Sequence, residues 1–221
     1  MAKTVANPVL GPVTTPGGEV RLRPIRLTDA RSWSQARIAD QQHLEPWEPG
    51  PGRGWEERHK AQHWLSLWSQ LRAHTKKGVV YPLVIEVDRT YAGQLTIGGV
   101  QRGALQSAWI GYWVASRVCG GGVATAAAAL AVDWCFQTLK LHRVEATTRR
   151  ENFASKTVLE RIGFREEGLI KDYLVVQGMW RDHVLFGLTA PETRGGVVNR
   201  LVREGKILGA APPAGGRARL L

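Results

Sequence analysis

Arg117-Val118-Cys119-Gly120-Gly121-Gly122-Val123-Ala124-Thr125 is the stretch on which the fold turns. Three successive glycines let the backbone pass close to a ligand with no Cβ in the way. Beyond them Val123, Ala127, Leu130, Ala131, Trp134 and Thr138 recur at helical spacing, and Ala126 to Ala129 suit close packing on a sheet. A helix N-terminus carries unpaired N–H groups and about half a positive charge, so a glycine loop entering a helix is an anion site. No Gly-Lys-Ser/Thr follows, which excludes a Walker-type nucleotidase. The glycine spacing and the position of the loop, after a run of strands rather than at the start of an alternating parallel unit, also argue against a dinucleotide fold.

Working outward, Ser107 to Val114 alternates as a strand, and Val79 to Val87 and Ala92 to Ile97 form an antiparallel meander with it around the turn Asp88 to Tyr91. Upstream, Trp64, Leu67, Trp68 and Leu71 mark the core face of a helix read over Trp55 to His74. Gln41 to Gly54, rich in proline and glycine around Trp47, reads as a long loop. Thr28-Asp29 starts a short helix to about Asp40, and Val20 to Ile25 is a first strand. Downstream lie a strand at His142 to Thr148, a helix at Asn152 to Ile162 closed by Gly163, and a hairpin joining Arg165 to Val176 with Arg181 to Thr189. Residues 1–18, with three prolines and three glycines and no periodicity, read as a flexible leader, 19–190 as one domain and 191–221 as a basic tail.

The chain has 221 residues, 43% of them hydrophobic and 22% charged, with a formal net charge of +11. This composition excludes disorder of the whole chain. No window has the roughly 20 apolar residues of a membrane helix and no apolar signal core opens the sequence, so the expected location is the cytoplasm, with no membrane partner. Two cysteines cannot build a disulfide framework. Six histidines fall into no ligand spacing, so no metal is expected. In the tail Arg194, Arg200, Arg203, Lys206, Arg217 and Arg219 stand against Glu204 alone, a surplus suited to nucleic-acid phosphates or simply to solvent.

Arg117-x-x-Gly120-x-Gly122 with Thr125 resembles the acetyl-CoA pyrophosphate motif of the GNAT N-acetyltransferases. Gly111-Tyr112-Trp113-Val114, His142-Arg143-Val144-Glu145, Asn152-x-x-Ser155-x-x-Val158-Leu159-Glu160-Arg161-x-Gly163-Phe164 and Trp180-Arg181-Asp182-His183 resemble, in order, its RimJ/RimL branch of ribosomal-protein N-terminal acetyltransferases. The resemblance implies a mixed α/β GNAT fold with a mostly antiparallel sheet of about seven strands flanked by helices. It implies acetyl-CoA as co-substrate and the α-amine of an alanine or serine at a ribosomal-protein N-terminus as acceptor, attacked directly, by a monomer or homodimer, and it makes the ribosome or ribosomal RNA the partner expected of the basic tail. Small amines, antibiotics or lysine are the alternative acceptors, and a non-catalytic acetyl-CoA-binding module is the alternative class.

The resemblance also assigns residues. The strand ending at Trp113 and Val114 splays from its neighbour to admit pantetheine, and N–H groups of Val114, Gly120, Gly121, Gly122, Val123, Ala124 and Thr125 bind carbonyl and pyrophosphate, with Arg117 adding charge or simply exposed. Asn152 is an N-cap and, by resemblance, a pantetheine contact beside Ser155. Many relatives have a thiolate-protonating tyrosine at the position of Leu159; leucine cannot do this, which leaves Ser155 and Tyr173 as substitutes. Asp172 is the expected base, with Glu86 and Glu167 as alternatives. Glu45, Trp47 and Glu48 border the acceptor groove, where carboxylates beside an indole can receive a cationic N-terminus; the other reading is a rigid surface loop. Cys119 has no histidine partner visible in the sequence, so an acyl-cysteine route is not expected.

Overall fold

The computed structural model describes residues 7–51 and 54–210. In chain order the elements are β1 (Leu10–Thr15), β2 (Gly18–Pro24), α1 (Ala30–Ala39), α2 (Gln41–Leu44), α3 (Trp55–Arg58), α4 (Trp64–Lys76), β3 (Tyr81–Val87), β4 (Thr90–Gln101), β5 (Ser107–Val114), α5 (Val123–Gln137), β6 (Arg143–Arg149), α6 (Phe153–Arg161), β7 (Arg165–Val176), β8 (Met179–Thr189), α7 (Val197–Arg203) and β9 (Gly209–Ala210). The strands form one nine-stranded sheet in the order β7-β8-β6-β5-β4-β3-β2-β1-β9. Every neighbouring pair is antiparallel except β5 and β6. Parallel neighbours need a crossover, and α5 is that crossover.

One sheet face is covered by α5, α6 and α7 and the other, over β3 and β4, by α1 and α4. Ala126 to Ala129 are fully buried, and their small side chains bring the α5 backbone close to the sheet. On the other face Trp33 and Trp64 pack with Ile25, Val84 and Tyr91, joined by Leu67, Trp68 and Leu71, so the α4 stripe is core as its spacing requires. Arg23 ties the start of this layer to the sheet: its guanidinium donates to both Asp29 oxygens at 2.8 and 2.9 Å and to Glu86 at 2.6 Å.

Three expectations are corrected. The leader reading fails over residues 10–18, because Leu10 to Thr15 is strand β1, paired with β2, and Val13 is buried in the core. A register shift between Leu10 and Val13 breaks the two-residue period, so the strand carries no alternation to read. The tail reading fails over 197–210. Helix α7 buries Val197 and Leu201, the Asp133 carboxylate accepts from Val197 N–H at 2.7 Å and Val198 N–H at 3.0 Å, and β9 pairs with β1. These two segments raise the strand number from about seven to nine. Finally, the helix read over Trp55 to His74 is broken at Lys60, whose backbone is extended, so Trp55 and Trp64 bury their indoles separately and donate to Arg37 C=O and Arg26 C=O. The first six residues of the leader and residues 211–221 of the tail, with Arg217 and Arg219 and their share in the ribosomal RNA contact expected of the basic tail, lie outside the described residues. Among the described residues no helix is long and apolar enough to cross a membrane.

The β1–β2 turn has a second role. Gly17 N–H donates to Gly121 C=O at 2.9 Å, so the turn rests directly on the glycine loop. A Cβ on Gly121 would lie 2.6 Å from Gly17 Cα and 2.9 Å from Gly17 N, both backbone atoms. Gly121→Ala is therefore expected to cost about 1 to 3 kcal/mol of stability through overpacking. Urea unfolding measures it, and an unchanged midpoint would show that the turn does not press on the loop.

Candidate active site

The parallel contact between β5 and β6 lasts for three residues, Ser107, Ala108 and Trp109 against Arg143, Val144 and Glu145. Beyond it each strand keeps only its outer partner: β5 stays on β4 as far as Val114, and β6 stays on β8 as far as Arg149. The sheet thus opens into a wedge between Ile110–Val114 and Ala146–Arg149. Ala115 N–H donates to Ala92 C=O, and the alternation of an antiparallel strand then turns the backbone groups of Val114, Tyr112 and Ile110 away from β4 and into the wedge. A strand edge left open inside a sheet is a binding surface for an extended, amide-bearing chain.

Past Val114 the glycine loop is held from three sides. Asp40, at the C-terminus of α1, accepts from Ser116 N–H at 2.8 Å and from its hydroxyl at 2.6 Å. Arg117 donates to Tyr91 C=O, so its guanidinium serves the loop's own anchorage, a role the sequence does not display. Gly17 supports Gly121 from below. The three glycines therefore differ in purpose. Gly120 and Gly122 have φ of +78° and +79°, which β-carbon-bearing residues rarely adopt, whereas Gly121 is required by its contact with Gly17. Helix α5 starts at Val123 with no side-chain cap, so its first N–H groups, on Val123, Ala124 and Thr125, are left for an external acceptor. Wedge and uncapped helix start together fit a ligand with an amide-bearing arm and an anionic group at its far end.

Cys119 Sγ lies 3.5 Å from His43 Nε2, a histidine partner that the sequence does not reveal. Burial and the nearby Asp40 carboxylate push the thiol pKa up, however, which disfavours the thiolate that an acyl-cysteine route needs.

Across the wedge, the Asn152 side chain caps α6 by accepting from Ser155 N–H at 3.0 Å. The Ser155 hydroxyl is 3.3 Å from Tyr112 Oη, and the phenol also reaches Ser155 C=O at 3.4 Å. Burial raises the Tyr112 pKa far above the phenol range, so the group stays protonated and Ser155 has a permanent hydrogen-bond partner. Sequence reasoning quoted Tyr112 but gave it no role. The signal was the alternation of β5, which puts Tyr112 on the α6 side with Ile110 and Val114. Leu159 is buried in the core.

Residues 45–50 form a strap across the open end of the wedge. On the β6 side Arg149 stacks 5.6 Å from the Trp47 ring and donates to Pro46 C=O at 3.1 Å. On the β5 side Arg37 lies 4.8 Å from the Trp113 ring and 5.2 Å from the Trp55 ring and donates to Glu48. Such cation–π contacts are worth about 0.5 to 2 kcal/mol each. The far end is pinned to the β7–β8 hairpin, with Gly50 N–H donating to Val175 C=O and Gly178 N–H to Gly50 C=O. Glu48 is thus committed to Arg37, and Glu45 accepts from Gln41 at 2.7 Å; the two carboxylates hold the strap rather than stand free beside Trp47.

Of the three base candidates, Glu86 is paired with Arg23 and Glu167 with Arg143, which holds the Glu167 carboxyl below its usual range. Among the described residues Asp172 has no ion-pair partner; it is exposed on β7, next to Tyr173, whose ring lies 5.6 Å from that of His183. Among the described residues no hydrogen bond links Asp172 or Tyr173 to Ser155, so the two sets of candidates stand on separate elements around the wedge. Among the same residues no group of three His, Cys, Asp or Glu side chains is placed to hold a metal ion.

Comparison with known proteins agrees with this geometry. The family model described as an acetyltransferase (GNAT) domain matches residues 19–165. The [ribosomal protein uS5]-alanine N-acetyltransferase of Escherichia coli is 31% identical over 184 residues, 79% of this chain and 93% of that protein. The probable N-acetyltransferase YjcK of Bacillus subtilis is 38% identical over 105 residues, which span 48% of this chain and 58% of YjcK's length. Among solved structures, Mycobacterium smegmatis RimJ in complex with CoA-disulfide is 53% identical and superposes with a TM-score of 0.89, covering 91% of this chain and 96% of that one. The family model spans more than half of the chain and the uS5-alanine acetyltransferase is alike over most of both chains, so the chain belongs to the GNAT acetyltransferase family.

Proposed function

We propose that this protein is an acetyl-CoA-dependent, cytoplasmic N-acetyltransferase acting on the N-terminal α-amine of a ribosomal protein, an alanine or serine terminus. The observation that carries the reading is the wedge between β5 and β6 leading to the uncapped start of α5, joined to the likeness to a ribosomal-protein-alanine acetyltransferase over most of both chains. Acetyl-CoA supplies an activated acetyl thioester. The Val114 N–H and its neighbours on β5 would hold the pantetheine arm, with Asn152 beside it, and the N–H groups from Gly120 to Thr125 the pyrophosphate.

The remaining steps belong to the chain's own side chains. A protonated α-amine has a pKa near 8, so a base is needed chiefly below that pH. Asp172, exposed and without an ion pair, takes that proton. Ser155, half-buried and with its hydroxyl beside the neutral Tyr112 phenol, gives a proton to the departing thiolate and is reprotonated from solvent, while the phenol keeps its own proton. The thiolate is a fair leaving group, so this pair replaces the tyrosine that the position of Leu159 lacks. Trp47 and the strap limit the acceptor end of the wedge.

Three outcomes are expected. Purified protein with acetyl-CoA and a panel of peptides and small amines acetylates α-amines of ribosomal-protein N-terminal peptides with the highest kcat/KM, read by mass spectrometry. Preference for a small amine or lysine would replace the acceptor, and coenzyme binding without turnover would leave a binding module. Gly122→Val, which puts a branched side chain at φ +79° in the loop, weakens acetyl-CoA binding by roughly tenfold or more by calorimetry; wild-type affinity would remove the pyrophosphate from this loop. Asp172→Ala loses more kcat/KM at pH 6 than at pH 9, because the amine is mostly protonated at the lower value and mostly free at the higher one; equal losses would exclude Asp172 as the base.

A further inference from the structure

Asp182, in the motif Trp180-Arg181-Asp182-His183, has no part in the site described so far, although it lies directly opposite Asp172. Ile170 pairs with His183 and Leu174 with Arg181, so three residues of β7, Lys171, Asp172 and Tyr173, face Asp182 alone. This is a β-bulge, and a bulge leaves ladder N–H groups without their usual acceptors. Asp172 sits in it at φ +45°, a left-handed conformation that favours glycine. A side chain supplies the missing acceptor: Asp182 Oδ1 takes the Asp172 N–H at 3.0 Å.

The bulge is also held through Tyr173. Alternation along β8 puts Asp182 on the face of Val184 and Phe186, and His183 on the opposite face. There His183 is buried, its ring fixed by the contact of Nδ1 with Arg181 C=O at 3.0 Å, and the Tyr173 ring stands against it at an interplanar angle of 65°. His183 in turn pairs across the sheet with Arg149, the residue that stacks on Trp47 of the strap. One carboxylate and one imidazole, adjacent in sequence, therefore fix the backbone of Asp172 and the ring of Tyr173 from the two faces of the sheet.

We propose that Asp182 is a positioning residue for catalysis: by accepting the Asp172 N–H it holds the β7 bulge in the conformation that presents the Asp172 carboxylate to the acceptor amine. The proposal rests on the reading of Asp172 as the base. It separates Asp182 from coenzyme binding, since the wedge and the glycine loop are built from β5, β6, α5 and α6.

The test is a double-mutant cycle on the full-length protein with acetyl-CoA and the best peptide substrate. Asp182→Ala is expected to lower kcat roughly 10- to 100-fold, the scale on which misplacing a catalytic group acts, with KM for acetyl-CoA unchanged. Asp182→Asn keeps the accepting oxygen and recovers most of kcat. In an Asp172→Ala background Asp182→Ala causes no further loss, because there is no longer a base to position. A deficient Asp172→Ala beside a wild-type-like Asp182→Ala overturns the inference alone, as do losses that multiply in the double variant or a raised KM for acetyl-CoA. Wild-type kcat in Asp172→Ala overturns both the base assignment and this inference. If Asp182→Ala does not fold, Asp182→Asn decides: less than a tenth of wild-type kcat means that its charge, not its hydrogen bond, is what matters.

Discussion

Two parallel strands that part company after three residue pairs are the constraint on which the rest of this protein depends. A sheet gains stability by pairing every backbone group, and the wedge between β5 and β6 forgoes that pairing along Ile110 to Val114 in the middle of a nine-stranded sheet. The opening persists because each lip is fully paired on its other side, β5 with β4 and β6 with β8. Behind it α5 presses four consecutive alanines onto the sheet and α6 closes the α side through the Tyr112–Ser155 contact. In front, a strap riveted by two arginines and three tryptophans spans both lips. An unpaired strand edge is thus held open as a binding surface.

The supports share a common form, in which side chains satisfy backbone groups that the backbone pairing leaves open. Asp40 does so for Ser116, Asp133 for the first turn of α7, Asp182 for the bulge at Asp172, and Asn152 for α6. Each is a short acceptor placed where a ladder or helix begins or breaks. The charged pairs are of another kind: Arg23 with Asp29 and Glu86, and Arg37 with Glu48, sit at the seam between the α1–α4 layer and the sheet.

How much of this could be read from the sequence depended on the range of the signal. Strand β5 and strand β7 have their ends where alternation and flanking glycine put them, and Asn152 caps α6 as its side chain and position require. The strand at Leu10 to Thr15 stayed hidden because its bulge destroys the period, and the break at Lys60 because no glycine or proline marks it. In the site, three glycines announced the loop at once, but Gly121 owes its identity to Gly17, far away in the chain. Glu48 looked free only because Arg37 lies on another element, and the histidine beside Cys119 was invisible for the same reason. Tyr112 was legible in principle, since strand alternation alone turns it toward α6.

The contact between Gly17 and Gly121 also bears on how the protein emerges from its own synthesis. Strand β1 is made before both of its partners on the sheet, β2 and β9, and the turn after it supports a loop made much later. Contacts of such long sequence separation form late in folding. The loop therefore gains its support only when residues near 121 have appeared, and the outer edge of β1 is covered only when the ribosome has reached Gly209 and Ala210. Until then an unpaired edge strand stays exposed, the feature that makes nascent chains prone to association. The seating of the glycine loop and the covering of β1 are accordingly completed well after β1 itself has been made.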